Sequence, residues 1–276
     1  MVTTLVVLLL PVLLTAVAVV WVYHNQSSLL FIPSKTTLPP IPEIQDRGKL
    51  IRMETQDHLQ LEGWYCEPPR PKAPVILFFH GNSGNLTTHQ ITDQRLLTLD
   101  CGLLLIDYRG YGNSEGIPSE EGLHRDATAA WKWLRETAQI PASHIVLHGR
   151  SLGASVAARL AATEAVDCRA LIMESGFSSL DDMRETLYPF FPASLSHYSF
   201  CSLEWVALRH CPLLIAHSPQ ENYIPFAQAE KLFHAARPPK RLFRLTGGHG
   251  RGWEESWPDY GPVLKNFAHS PAILEE

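Results

Sequence analysis

The chain has 276 residues, 45% hydrophobic and 18% charged, the make-up of a globular protein with a sizeable core and not of a disordered one. A net charge of -5 without any Lys/Arg cluster excludes the basic footprint of a nucleic-acid binder. The five cysteines are scattered, with no C-x-x-C pair, and read as unpaired thiols; Cys201 and Cys211 could bridge only in an oxidising compartment.

From Val2 to Tyr23 no residue is charged and most are Val, Leu or Ala, enough apolar length to cross a bilayer as a helix. Trp21 and Tyr23 stand at the far end, where interfacial aromatics belong. Ala16-Val17-Ala18 would suit signal-peptide cleavage, but no Lys or Arg precedes the run and the run continues past that site. The expectation is an uncleaved transmembrane anchor over 1–23 with the enzyme on the non-cytoplasmic side. Residues 24–48, with Pro33, Pro39, Pro40 and Pro42, read as an extended linker leading to a domain over 49–276.

Partial alternation over 50–55 and 59–65, broken by Gln56-Asp57-His58, predicts a β-hairpin that opens the domain. Apolar runs at 75–79, 103–106, 145–148, 170–173, 212–216 and 241–245 then alternate with helical patterns, including those at 86–100 and 120–138. Continuous apolar strands separated by helices predict a mainly parallel sheet covered on both faces. The stretch from about 176 to 210, rich in Phe, Tyr, Leu and Pro, is long for a connection. It is expected to form a small helical cap over the C-terminal strand ends, where open α/β sheets bind ligands.

The chemistry centres on Gly149-Arg150-Ser151-Leu152-Gly153, a G-x-S-x-G turn between a short apolar strand and an Ala-rich helix. In that context the motif is a nucleophile elbow, which strains the serine backbone and lifts its hydroxyl clear of the sheet. A serine needs a base, usually a histidine held in one tautomer by a carboxylate. His249, in the Gly247-Gly248-His249-Gly250 loop after the last strand, is placed for the base. Glu221 is the only carboxylate in the loop after the preceding strand; Glu174, at the end of the strand before that, competes with it, and Asp181 and Asp182 read as helix-capping residues. The oxyanion hole is assigned to the backbone N–H groups of Leu152 and of Asn82, in His80-Gly81-Asn82-Ser83-Gly84-Asn85. Asp107 and Arg109, in a glycine-rich loop over 107–116, are read as structural. No metal-spaced motif, dinucleotide fingerprint or P-loop occurs, so no cofactor and no metal is expected.

The motifs over 80–85, 107–114, 149–153 and 248–249, in that order, resemble the α/β-hydrolase superfamily. They are most similar to its membrane-anchored ABHD-type subgroup with an HGN oxyanion loop; the departure is Glu221, where the pattern usually has Asp. The resemblance implies the α/β-hydrolase fold and a serine hydrolase acting on carboxylic esters, thioesters, lysophospholipids or peptide ends. A membrane-bound esterase or thioesterase for acyl or lipid-like substrates is the reading adopted. A serine peptidase on the same fold and a catalytically inert, membrane-tethered binding module remain the alternatives.

Overall fold

The apolar runs of the sequence become strands because their two faces are buried alternately on two sides of one sheet. In a computed structural model, residues 2–40 and 42–271 are described, apart from the side chains of 2–9, 43 and 91–93. In chain order the elements begin with helix α1 (Val2–Leu30), strand β1 (Ile32–Pro33), helix α2 (Pro42–Arg47), and the strands β2 (Gly48–Glu54), β3 (Gln60–Cys66), β4 (Val75–Phe79) and β5 (Ser83–Gly84). Helix α3 (Leu86–Asp93), strand β6 (Gly102–Ile106), helix α4 (Glu120–Lys132), strand β7 (Ile145–Arg150), helix α5 (Leu152–Thr163) and strand β8 (Ala170–Glu174) follow. Helices α6 (Leu180–Leu187) and α7 (Ser202–Leu208) then precede strand β9 (Leu213–His217), helix α8 (Phe226–Ala235), strand β10 (Lys240–Arg244) and helices α9 (Gly252–Glu255) and α10 (Trp257–His269).

Eight strands form one sheet in the order β10-β9-β8-β7-β4-β6-β3-β2, parallel except for β3, which pairs antiparallel with both β6 and β2. The expected hairpin over 50–65 is that antiparallel edge. Period-two alternation splits β4 between two cores: Val75, Leu77 and Phe79 face one helical layer, Ile76 and Phe78 the other. Register then fixes the site, because Phe79 pairs with Gly149 and Arg150 with Glu174. The turn after β4, the elbow after β7 and the end of β8 are therefore neighbours at the C-terminal edge of the sheet.

One expectation for the N-terminus is not confirmed and another is corrected. Among the described residues no helix is long and apolar enough to cross a membrane. The anchor expected over 1–23 is thus not found as a membrane span; Met1 and the side chains of 2–9 lie outside the described residues. The segment 24–48 is not an extended linker. Helix α1 continues to Leu30, and Val22, Gln26 and Phe31 are buried against the domain. Apolar length alone does not separate a membrane span from a helix that docks on its own protein. The five cysteines are unpaired.

The stretch between β8 and β9 carries α6, a short 3₁₀ turn at Ala193–Leu195, and α7. Ser179 caps α6 by accepting from the Asp182 N–H at 3.1 Å. The following chain is tied to α4, where the Glu120 carboxylate accepts from the N–H groups of Ser199 and Phe200, both at 2.7 Å.

Candidate active site

Ser151 occupies the turn between β7 and α5 with φ +53° and ψ −119°, a conformation that costs free energy for any residue with a Cβ. Its surroundings over-determine it. The Ser151 N–H donates to the Glu174 carbonyl at 2.8 Å, and its own carbonyl accepts from Ala154 at 3.0 Å. The flanking glycines let the turn close. A Cβ on Gly149 would lie 2.0 Å from the Gly153 carbonyl oxygen, and one on Gly153 would lie 2.1 Å from that of Phe79. Both neighbours are backbone, so no side-chain adjustment could make room.

The turn after β4 crosses beside the serine, since a Cβ on Gly81 would sit 3.6 Å from that of Ser151. Asn82, Ser151 and Leu152 share one cleft. Leu152 opens α5, so its N–H has no intrahelical acceptor. The carbonyl of Asn82 accepts from Ile32 N at 2.9 Å and from the Tyr111 hydroxyl at 2.7 Å. Its side-chain amide donates to the Leu30 carbonyl at 3.0 Å. The Asn82 N–H has no acceptor among the described residues.

The loops after β9 and β10 bring Glu221 and His249 together. Glu221 Oε1 takes a short hydrogen bond from His249 Nδ1 and a second from Ile224 N at 3.1 Å. A carboxylate only accepts, so Nδ1 carries the proton and Nε2 is left with its lone pair. The His249 side chain is 30% exposed while that of Glu221 is fully buried, so the base has a solvent face and the acid has none. No hydrogen bond joins His249 to Ser151. His249 packs on Tyr223, ring centroids 5.1 Å apart, and Tyr223 lines the cleft that holds Ser151. On either side of His249, a Cβ at Gly248 or Gly250 would meet nothing within 4 Å, so the loop has room to bring the ring toward the serine.

Glu174 is committed elsewhere. It is buried, hydrogen-bonded by Arg150 Nε, and 3.3 Å from His148 Nε2. Burial pushes its carboxyl up, but the Arg150 charge and His148 overcome this and hold it at about 2. Asp107 and Arg109 take structural positions: Asp107 accepts from Leu86 N at the start of α3, and Arg109 bridges Asp57 and Asp126.

Two contributors were not read from the sequence. Tyr108 and Tyr111, in the loop after β6, hold the β4 turn through the His80 carbonyl, at 2.9 Å, and the Asn82 carbonyl. Two tyrosines in a glycine-rich turn, each needing a partner for a buried hydroxyl, were the available signal. The other contributor is the N-terminal segment, whose apolar composition pointed to lipid instead.

The cleft beyond the serine is walled by Leu180, Met183, Leu187 and Phe191 of the cap and by Val22 and Leu30 of α1. Its lining is mainly apolar, with polar groups at Ser151, Asn82, Gln26, Arg184 and Ser196 and on three tyrosines.

Comparison with known proteins agrees with this architecture. The family model described as alpha/beta hydrolase fold matches residues 74–225, a stretch that includes Ser151 and Glu221. An uncharacterized protein of Mycobacterium tuberculosis is 34% identical over 236 residues, covering 84% of this chain and 83% of its own. Protein bem46 of Schizosaccharomyces pombe is 30% identical over 245 residues, covering 83% and 81%. Among solved structures, an esterase of Pyrococcus furiosus superposes with TM-score 0.72 at 18% identity, over 86% of this chain and 97% of that one. The esterase domain of a Rhodothermus marinus protein gives TM-score 0.62 at 23% identity, over 81% and 98%. The chain belongs to the alpha/beta hydrolase family.

Proposed function

We propose that the protein is a serine hydrolase that cleaves esters of acyl, lipid-like substrates. The observation that carries this reading is a strained serine at a helix N-terminus, sharing an apolar cleft with two N–H donors and flanked by a buried-Glu–His pair. In the reaction, Ser151 Oγ attacks the acyl carbonyl while His249 Nε2 takes its proton. Glu221 holds the imidazole in the Nδ1–H tautomer and stabilises the imidazolium that forms. The N–H groups of Asn82 and Leu152 donate to the developing oxyanion. His249 then protonates the leaving alcohol, and water activated by the same ring releases the acyl group. Approach of His249 to Ser151 is assigned to the open glycine loop on binding, since such hydrogen bonds often tighten only in the substrate complex.

The apolar cleft favours an acyl chain, and the esterases that share the fold favour an oxygen ester over a thioester or peptide. Attachment to a lipid surface belongs to the same reading. Leu13, Val17 and Val20 of α1 are more than half exposed, and co-sedimentation with phosphatidylcholine vesicles tests it. The deciding experiment is labelling by a fluorophosphonate together with hydrolysis of a p-nitrophenyl ester series. Ser151→Ala is expected to abolish labelling and to lower kcat by about a millionfold. Labelling that survives the substitution, or preference for acetyl over all longer chains, would overturn the reading.

A further inference from the structure

The segment from Val22 to Thr36 is bonded to the cleft more extensively than a tether needs to be. Strand β1 pairs in parallel with β5, so the chain leaving α1 lies alongside the turn that carries Asn82. Ile32 N donates to the Asn82 carbonyl and Ser34 N to the Gly84 carbonyl, each at 2.9 Å. In return, Asn82 donates its side-chain amide to Leu30, and buried Asn85 donates its own to the carbonyls of Ser34, at 3.0 Å, and Thr36, at 2.9 Å. The turn is thus gripped at both ends, and the Asn82 N–H keeps no acceptor among the described residues.

Gln26 adds a second attachment. Its amide donates to the Leu195 carbonyl at 3.0 Å and its carbonyl accepts from His197 N at 2.7 Å, both in the cap. A buried amide beside an apolar cleft is costly unless both ends are bonded, and here both are. Tyr23 stacks edge-on against His197 and Phe31 against Tyr198, so the last turns of α1 close the cap side of the cleft.

We propose that residues 22–36 are a working part of the catalytic site: Leu30 to Thr36 position the oxyanion turn, and Gln26 latches the cap so that α1 walls the acyl channel. The inference rests on the reading of Ser151 as nucleophile. Leu30, Ile32, Asn85 and Gln26 act through other groups and are positioning residues.

The test uses the full chain. Asn85→Asp keeps the oxygen that accepts from Thr87 and Thr88 at the start of α3, but turns a carboxylate oxygen toward two carbonyls. Per fluorophosphonate-titrated site, kcat for p-nitrophenyl butyrate is expected to fall about tenfold or more, with KM changed less than about twofold. Affinity for an alkyl trifluoromethyl ketone, which mimics the tetrahedral intermediate, should fall by the same factor as kcat/KM. A merely structural role would lower the titrated fraction and leave both constants intact, and that result would overturn the proposal. Gln26→Ala provides the second readout, which decides alone if Asn85→Asp yields no titratable protein. The ratio of octanoate to acetate kcat/KM should shift about fivefold or more; an unchanged ratio would overturn the latch. A wild-type chain that fails to label refutes the nucleophile itself, a different outcome from labelled variants with wild-type kinetics.

Discussion

Two buried glutamates stand at the C-terminal edge of the sheet, Glu174 ending β8 and Glu221 in the loop after β9, and each faces histidines. They differ in what else faces them. Glu174 carries a permanent cation, Arg150, whose guanidinium is itself stacked 4.5 Å above Trp253 and 5.2 Å above Phe78. Its histidine, His148, is fully buried. Among the described residues Glu221 faces two histidines and no arginine or lysine, and one of the histidines, His249, is partly exposed on an open glycine loop. A carboxylate locked to arginine has its charge spent; one that faces only imidazoles can stabilise a charge that appears during reaction. The environment, and not the residue type, separates an acid that stabilises the fold from one suited to pair with a base.

The largest effect that could break this comparison is on rate. Glu221→Gln puts an amide opposite His249 Nδ1 and favours the wrong tautomer, so kcat is expected to fall about 10³- to 10⁴-fold with little change in thermal stability. A loss smaller than tenfold would remove Glu221 from the mechanism.

Glu174→Gln should do the opposite. It removes the buried carboxylate that accepts from Arg150 and faces His148, a defect of about 1–3 kcal/mol in stability. The variant's kcat per titrated site should stay within about fivefold, because no step uses this carboxylate. Acid adds a second check. The Glu174 carboxyl is held at about 2, below the ordinary carboxylate value, so its contribution to stability is present above the usual carboxylate range and is lost as pH falls toward 2. The variant should therefore show a flatter decline in melting temperature across that window. An equally steep decline would assign the acid sensitivity to other carboxylates.

The same contrast explains what was legible in the sequence. Strand order, the elbow and the loops that carry His249 and Glu221 follow from short-range patterns: apolar runs, a G-x-S-x-G turn, and loops after successive strands. Preferring Glu221 to Glu174 rested on chain order alone; that Arg150 is the register partner of Glu174 shows only in the paired sheet. The N-terminal segment was not legible. Val, Leu and Ala over residues 2–23 satisfy a bilayer and a protein surface equally, and nothing local indicates that Gln26 meets the chain near 195 or that Ile32 meets Asn82. Those contacts join residues separated by about fifty positions or more, and they show only once the fold is closed. Tyr108 and Tyr111 were hidden for the same reason, since a hydroxyl's acceptor is set by the tertiary structure.

The smallest expected effect concerns the second histidine of Glu221. His217 Nε2 donates to the Ile224 carbonyl at 2.8 Å and stands 3.5 Å from Glu221 Oε2, while Ile224 N donates to Glu221 Oε1. His217 and Glu221 thus grip the two sides of one residue and close the loop that aims the acid at His249. Burial lowers the His217 pKa from its ordinary value, so the ring is neutral at neutral pH and leaves the Glu221 charge to His249. His217→Ala should then slow kcat about ten- to a hundredfold by loosening the acid. The acid limb of the rate profile should keep its midpoint, because no charge near the base has been removed. A displaced midpoint would mean that His217 and His249 share the proton, and the contrast between the two glutamates would then lie in proton sharing and not in freedom from arginine.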